Sequence, residues 1–182
     1  MYIELHTRSA FSFLEGASVP EEMAKVCHSH QMPAMALLDR DGVYGAARFH
    51  LAMKKLGLQA HIGAEVTSLL PPIPLSDNGI LPRVSLLCSS HEGYQNLCRL
   101  IIRTKLRAPK YPAVLPRKAK QSVSEDLLIT SQAVASVEDI AEFSSGLICM
   151  TGGEEGPLSH ALVQGGMEEG RCTLEQLSLI HI

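Results

Sequence analysis

No stretch of this sequence approaches the roughly 20 consecutive apolar residues that a membrane span requires, although 46% of its 182 residues are hydrophobic. The amino terminus shows neither a basic n-region nor an apolar h-region, so no secretion signal is expected. Cysteines are few, five in all and without short paired spacings. That argues against a disulfide framework and for reduced thiols in the cytoplasm. Charge of either sign is nearly balanced at a formal net of −3, so the chain as a whole does not attract nucleic acid electrostatically. The glycine-rich stretch from Thr151 to Pro157 lacks the Gly-x-x-x-x-Gly-Lys spacing that would cradle a phosphate. What remains is enough chain for one domain with a sizeable core, or for part of a larger one.

The most informative stretch is the first. Tyr2 to Leu5 alternates apolar and polar residues and predicts a short strand. His6-Thr7-Arg8 follows, then a Ser/Phe-rich turn closed by Glu15-Gly16. A His-x-His at the end of a buried strand aims two imidazoles at one metal; here Arg8 stands in the second position. Pro20, with Glu21 and Glu22 behind it, predicts a helix to about His30. Its histidines, His28 and His30, read as a solvated helix end. The apolar run Ala34 to Leu38 predicts a parallel strand buried on both faces. Asp39 follows at its carboxyl end, where α/β folds place chemistry; a site role and a helix-capping role are both open to it, and Asp41 can share the second.

A helix is expected from Val43 to Leu56, closing at Gly57 behind Lys54 and Lys55. A strand is expected from Leu58 to Val66. Glu65 inside that apolar strand is costly to bury without a partner or a cation, whereas His61 reads as a packed strand histidine. Pro71 to Gly79 reads as an exposed connection, and Arg83 to Cys88 as the next strand. Ser89-Ser90 then caps a helix, with His91 at the surface. From Arg103 to Lys120 the chain carries Arg103, Lys105, Arg107, Lys110, Arg117, Lys118 and Lys120, with no acid between Glu92 and Glu125. Broken by three prolines, this stretch reads as a basic loop. It can contact a nucleic-acid backbone, face solvent or seat a neighbouring domain. Short helices at Ser124, Ser136 to Phe143 and Leu158 to Gln164, a strand from Gly146 to Met150 and the start of a helix at Thr173 complete the pattern. Short buried strands alternating with helices predict a parallel α/β fold.

The string His6-Thr7-Arg8-Ser9-Ala10-Phe11-Ser12-Phe13-Leu14-Glu15-Gly16 resembles the first motif of the PHP (polymerase and histidinol phosphatase) domain. More closely, it resembles the start of bacterial error-prone DNA polymerases, relatives of the polymerase III alpha subunit. Asp39 and the Gly63-x-Glu65 pattern fit the same family, and Gly93-Tyr94-Gln95-Asn96-Leu97-Cys98-Arg99-Leu100 is the most specific match after the first motif. The resemblance covers nearly all of residues 1 to 177. It implies a distorted (β/α)7 barrel, incomplete at its carboxyl end, with residues 178 to 182 reading as a non-native tail. It further implies an amino-terminal fragment of a polymerase whose remaining domains are its partners. In that parent, DNA is the substrate and magnesium serves the palm. Of the family's metal ligands, His6, Asp39 and Glu65 stand in matching positions, with Glu15 in place of an aspartate. Arg8, Arg40 and Arg83 stand where neutral ligands are wanted. The resemblance therefore implies no catalytic group and no cofactor in the fragment, beyond a residual zinc or manganese ion. A free-standing metal-dependent PHP phosphoesterase is the alternative reading.

Overall fold

The computed structural model describes residues 2–69, 81–108 and 133–179. Its centre is a five-stranded sheet in sequence order, β1 (Glu4–Thr7), β2 (Ala34–Arg40), β3 (Gln59–Thr67), β4 (Arg83–Cys88) and β5 (Leu147–Met150). Helix α1 (Pro20–Ser29) links β1 to β2, and α2 (Ala46–Lys55) links β2 to β3. Helices α3 (His91–Arg107) and α4 (Val137–Glu142) precede β5, and α5 (Pro157–Leu179) follows it. The first three strands are parallel, as βαβ connections require. β4, however, runs antiparallel to both β3 and β5. This corrects the all-parallel expectation: no helix lies between β3 and β4 among the described residues, so the chain can turn back directly.

The pleat divides the sheet's side chains between two faces. Ala64, Val66, Val84, Leu86 and Cys149 share one face and pack beneath Leu97, Leu100, Ile140 and Leu177 of the later helices. On the same side Met35 and Leu37 meet Met23 and Cys27 of α1 and Phe49 and Met53 of α2. The opposite face carries only a small apolar layer, Ala36, Leu38 and Leu87 with Met150 against them. Beyond that layer, at the end of the strands, Arg40, Glu65 and Ser85 stand in register. One face therefore holds the core and the other holds charge.

Several boundaries move from their expected places. β1 extends to Thr7, with a register shift against β2 between Glu4 and Thr7. Such an irregularity re-aims the side chains within it, and His6 is one of them. α2 begins at Ala46 rather than Val43, because Gly45 comes within hydrogen-bond reach of Asp39. A Cβ at Gly45 would meet the Asp39 carboxylate at 2.8 Å. α3 runs through Arg107, so Arg103, Lys105 and Arg107 are helical rather than part of a loop. The prolines that break the pattern begin only at Pro109. The two helices expected near the end form one span, kinked at Gly166, whose φ of 74° only glycine adopts freely. The connection Pro71–Gly79 and the helix at Ser124 lie outside the described residues. All five cysteines are free. Burial pushes the Cys88 thiol up to about 12, helped by Cys98, and that of Cys149 to about 11.

The segment Gly93–Leu100 has a packing reason for its composition. Ser90 caps α3 through its side chain, accepting from Gly93 N. Asn96 Nδ2 donates to Ser145 O at 2.9 Å, and Leu97 and Leu100 enter the core. A Cβ on Gly93 would lie 1.8 Å from Gly146 O, a backbone atom that cannot swing aside. Gly93→Ala should therefore force α3 off the turn before β5 and lower the urea-unfolding free energy by about 1–3 kcal/mol. An unchanged midpoint would show that α3 is not held against that turn.

Candidate functional site: a guanidinium–carboxylate cluster

Asp39 and Glu65 both end up buried, each about 1% exposed, but they do not meet. In the register of β2 and β3, Arg40 lies opposite Glu65 and Asp39 opposite Ala64. Adjacent strand positions face opposite ways, so Asp39 turns to the core face and Glu65 to the charged face. Asp39 Oδ1 accepts from Ser9 N at 2.9 Å, Ser9 Oγ at 2.8 Å and Ser12 Oγ at 2.9 Å. Its Oδ2 accepts from Gly45 N at 3.1 Å. Among the described residues, neutral donors alone satisfy this carboxylate. It clamps the loop after β1 to the start of α2. Asp41 does similar work one step on, accepting from Thr67 N at 2.7 Å and Thr67 Oγ1 at 2.8 Å.

Glu65 is satisfied by charge instead. Arg8 donates through Nε to Glu65 Oε2 at 2.6 Å and through Nη2 to Oε1 at 2.9 Å, a two-pronged fit between planar groups. His6 Nε2 donates to Glu65 Oε1 as well. Arg8 continues to Glu155 Oε2 at 2.5 Å. Arg83, at the start of β4 and 7% exposed, holds Glu15 with both arms at 2.7 and 2.8 Å and reaches Glu155 at 3.2 Å. Arg40 adds a third guanidinium at the rim, 2.8 Å from Glu15 Oε1. Three carboxylates, Glu15, Glu65 and Glu155, are thus held by three guanidiniums. Arg8, Glu65, Arg83 and Glu155 of this cluster line a cavity of about 300 Å³ together with His6, Ser85, Gly153, Glu154 and Gly156.

Sequence alone does not place Glu155 in the site, since it sits in the glycine-rich loop after β5, which lacks phosphate-cradle spacing and carries no ligand motif. The signal was the acid itself, opposite a surplus of arginines. The loop is pinned by Arg83 N donating to Glu155 O at 2.9 Å and by a turn from Gly156 N to Gly153 O at 2.9 Å.

Ser85 Oγ lies 3.5 Å from His6 Nε2, but Glu65 occupies that same nitrogen. A serine–histidine–acid relay needs the two partners on different ring nitrogens, so this is not one. Carboxylate oxygens of Glu15, Glu65 and Glu155 lie within 4.8 Å of one another, close enough to share a hard cation. Each is already hydrogen-bonded by a guanidinium, which brings its own positive charge to the place an ion would take. The residues present do not fit a divalent metal while those arginines stay.

Of the basic residues expected to contact nucleic acid, Arg107 is committed to Asp139 by two bonds of 2.8 and 2.9 Å. Lys105 meets the Tyr44 hydroxyl and lies over its ring, and Arg103 pairs with Glu142 and stacks on Phe143. Lys110, Arg117, Lys118 and Lys120 lie outside the described residues.

A PHP domain model matches residues 4–181. The chain is 30% identical over 164 residues to the DNA polymerase III subunit alpha of Buchnera aphidicola, covering 90% of this chain and 12% of that protein. It is 38% identical over 125 residues to the error-prone DNA polymerase of Corynebacterium efficiens, covering 66% and 10%. With the error-prone DNA polymerase of Anaeromyxobacter sp. (strain K), identity is 43% over 104 residues, covering 56% and 9%. The chain therefore spans about a tenth of the length of these relatives. A solved structure of a putative metal-dependent phosphoesterase from Bifidobacterium adolescentis superimposes with a TM-score of 0.45 at 13% identity, covering 96% of this chain and 55% of that one.

Burial opposes ionisation of Glu65, yet the bonds from His6 and Arg8 outweigh it and hold its pKa below the ordinary 4.5. Glu15 behaves alike, burial again being overcome by Arg83 and then Arg40 and Arg8. A carboxylate with a depressed folded pKa stabilises fully above its unfolded value and loses that contribution as pH falls through the folded one. The melting temperature should therefore be level between about pH 7 and 5 and decline below about 4.5. Glu65→Gln should flatten that acid limb. An acid limb unchanged by Glu65→Gln would show that the cluster's ionisation does not support the fold.

Proposed function

The chain belongs to the PHP domain family, and from that membership we propose that it is the amino-terminal PHP portion of an error-prone, C-family DNA polymerase, serving there as a structural module. The parent would extend a DNA primer from deoxynucleoside triphosphates in the cytoplasm, in damage tolerance or repair, with magnesium in a palm outside this sequence. Its partners would be the remaining polymerase domains and, through them, DNA. The sheet β1 to β5 would form one side of a (β/α)7 barrel that later chain completes, with the charged cluster at its mouth. Residues 1–177 would form this domain.

The observation that carries the structural reading is the pairing of Glu15, Glu65 and Glu155 by Arg8, Arg40 and Arg83. In this account His6, Glu15 and Glu65 are what remains of a metal site, and the arginines provide the positive charge. Asp39, the fourth candidate, serves the loop after β1. The approach of the three carboxylates to within 4.8 Å of one another favours a second reading, a metal-dependent phosphoesterase. It would require the guanidiniums to withdraw.

Stability and metal content separate the two. Removing one partner of a buried charge pair costs about 3–5 kcal/mol. Arg8→Ala should approach the lower end, because His6 still contacts Glu65. Addition of a chelator should leave the melting temperature of the unaltered protein unchanged. Purified protein should hold well under one zinc or manganese ion per chain and hydrolyse no simple phosphate ester. Stoichiometric metal with metal-dependent turnover would establish the phosphoesterase reading instead.

A further inference from the structure

Away from the charged cluster, α1 and α2 pack side by side and leave a groove of about 350 Å³ between them. Leu51, Ala52 and Leu56 form its floor, and Lys25, Arg48 and Lys55 its rim. Ala52 and Leu56 are partly buried and pack against the core, but Leu51 is not a by-product of it. Phe49 and Met53 are the buried face of α2, and Leu51 lies two residues from each, turned roughly 200° away at 100° per residue. It is 58% exposed, at a position where the helical pattern calls for a polar residue.

The rim has a definite sign. Glu21 is the one carboxylate in the lining, and Arg48 takes it with two bonds of 2.7 Å. Among the described residues, neither Lys25 nor Lys55 enters an ion pair. Three cations, Lys25, Arg48 and Lys55, against the single carboxylate of Glu21 therefore flank an apolar floor, in a chain whose net charge is −3.

We propose that this groove docks a short acidic–apolar segment of another polypeptide, with leucine-like anchors on Leu51, Ala52 and Leu56 and carboxylates toward Lys25 and Lys55. Charge complementarity selects this occupant. Duplex DNA would engage the lysines and leave the apolar floor uncovered. A purely apolar partner would bury both ammonium groups without compensation, which is costly. A helix or extended peptide laid between two helices meets both demands.

The test uses the whole chain and a short fluorescein-labelled peptide in which leucine pairs alternate with glutamates. Saturable binding is expected, weakening as salt rises, with amide chemical-shift changes confined to α1 and α2. Leu51→Asp and the double change Lys25→Glu, Lys55→Glu should each reduce affinity by about tenfold or more. Val163→Asp, on the exposed side of α5, should not. None of these exposed changes should lower the melting temperature appreciably. Equal binding of a counterpart peptide with lysines for glutamates would overturn the proposal. So would full affinity in Leu51→Asp, or self-association of the chain abolished by that change. Duplex DNA that binds through Lys25 and Lys55 and displaces the peptide would overturn it as well.

Discussion

A carboxylate inside a sheet must be neutralised where it stands, and Glu65 imposes that condition on the rest of the charged face. Its side chain is 2% exposed, so water cannot solvate it, and an unpaired ion there would cost several kcal/mol. Arg8 meets the condition, and the consequences spread from it. The chain after β1 must fold back over β3, Glu15 must turn toward Arg83, and the loop after β5 must bring Glu155 to both arginines. Strands β1, β3 and β4 and two loops are fastened together by groups that would repel one another if any were missing. The net stabilisation from such a cluster is modest, because desolvation offsets much of the attraction. Its main effect is on arrangement: a guanidinium stays charged across the accessible pH range and accepts carboxylates only in its plane.

Asp39 provides the contrast. It is as deeply buried as Glu65 and one sheet position removed, yet it faces the helices rather than the cluster. Two serine hydroxyls and two backbone N–H groups satisfy it, with no cation in contact among the described residues. One carboxylate therefore organises a loop and a helix start through neutral hydrogen bonds, while the other organises three strands through ion pairs. The alternation of the strand separates the two tasks.

Much of this was legible in the sequence. The apolar runs around Ala34 and Arg83 marked β2 and β4 closely, and Ser90 and Ser136 marked helix starts that both side chains cap. A glutamate in an apolar strand was enough to expect a partner or a cation for Glu65, and Arg8 and His6 are the partners. Three things were not legible. The direction of β4 depends on a connection whose length and composition allow either sense. Membership of Glu155 depends on the tertiary placement of a glycine-rich loop, which its local sequence does not determine. Asp39 and Glu65 both stand at metal-ligand positions of the family the sequence resembles, but the register of β2 against β3 decides which face each occupies.

A double-mutant cycle on Arg8 and Glu65, read by chemical unfolding at neutral pH with and without added manganese, addresses the central claim most directly. The account predicts a coupling free energy of about 2 kcal/mol between Arg8→Ala and Glu65→Gln, unchanged by the metal. Additivity within about 0.5 kcal/mol, or a stability of the unaltered chain that rises with manganese, would contradict it.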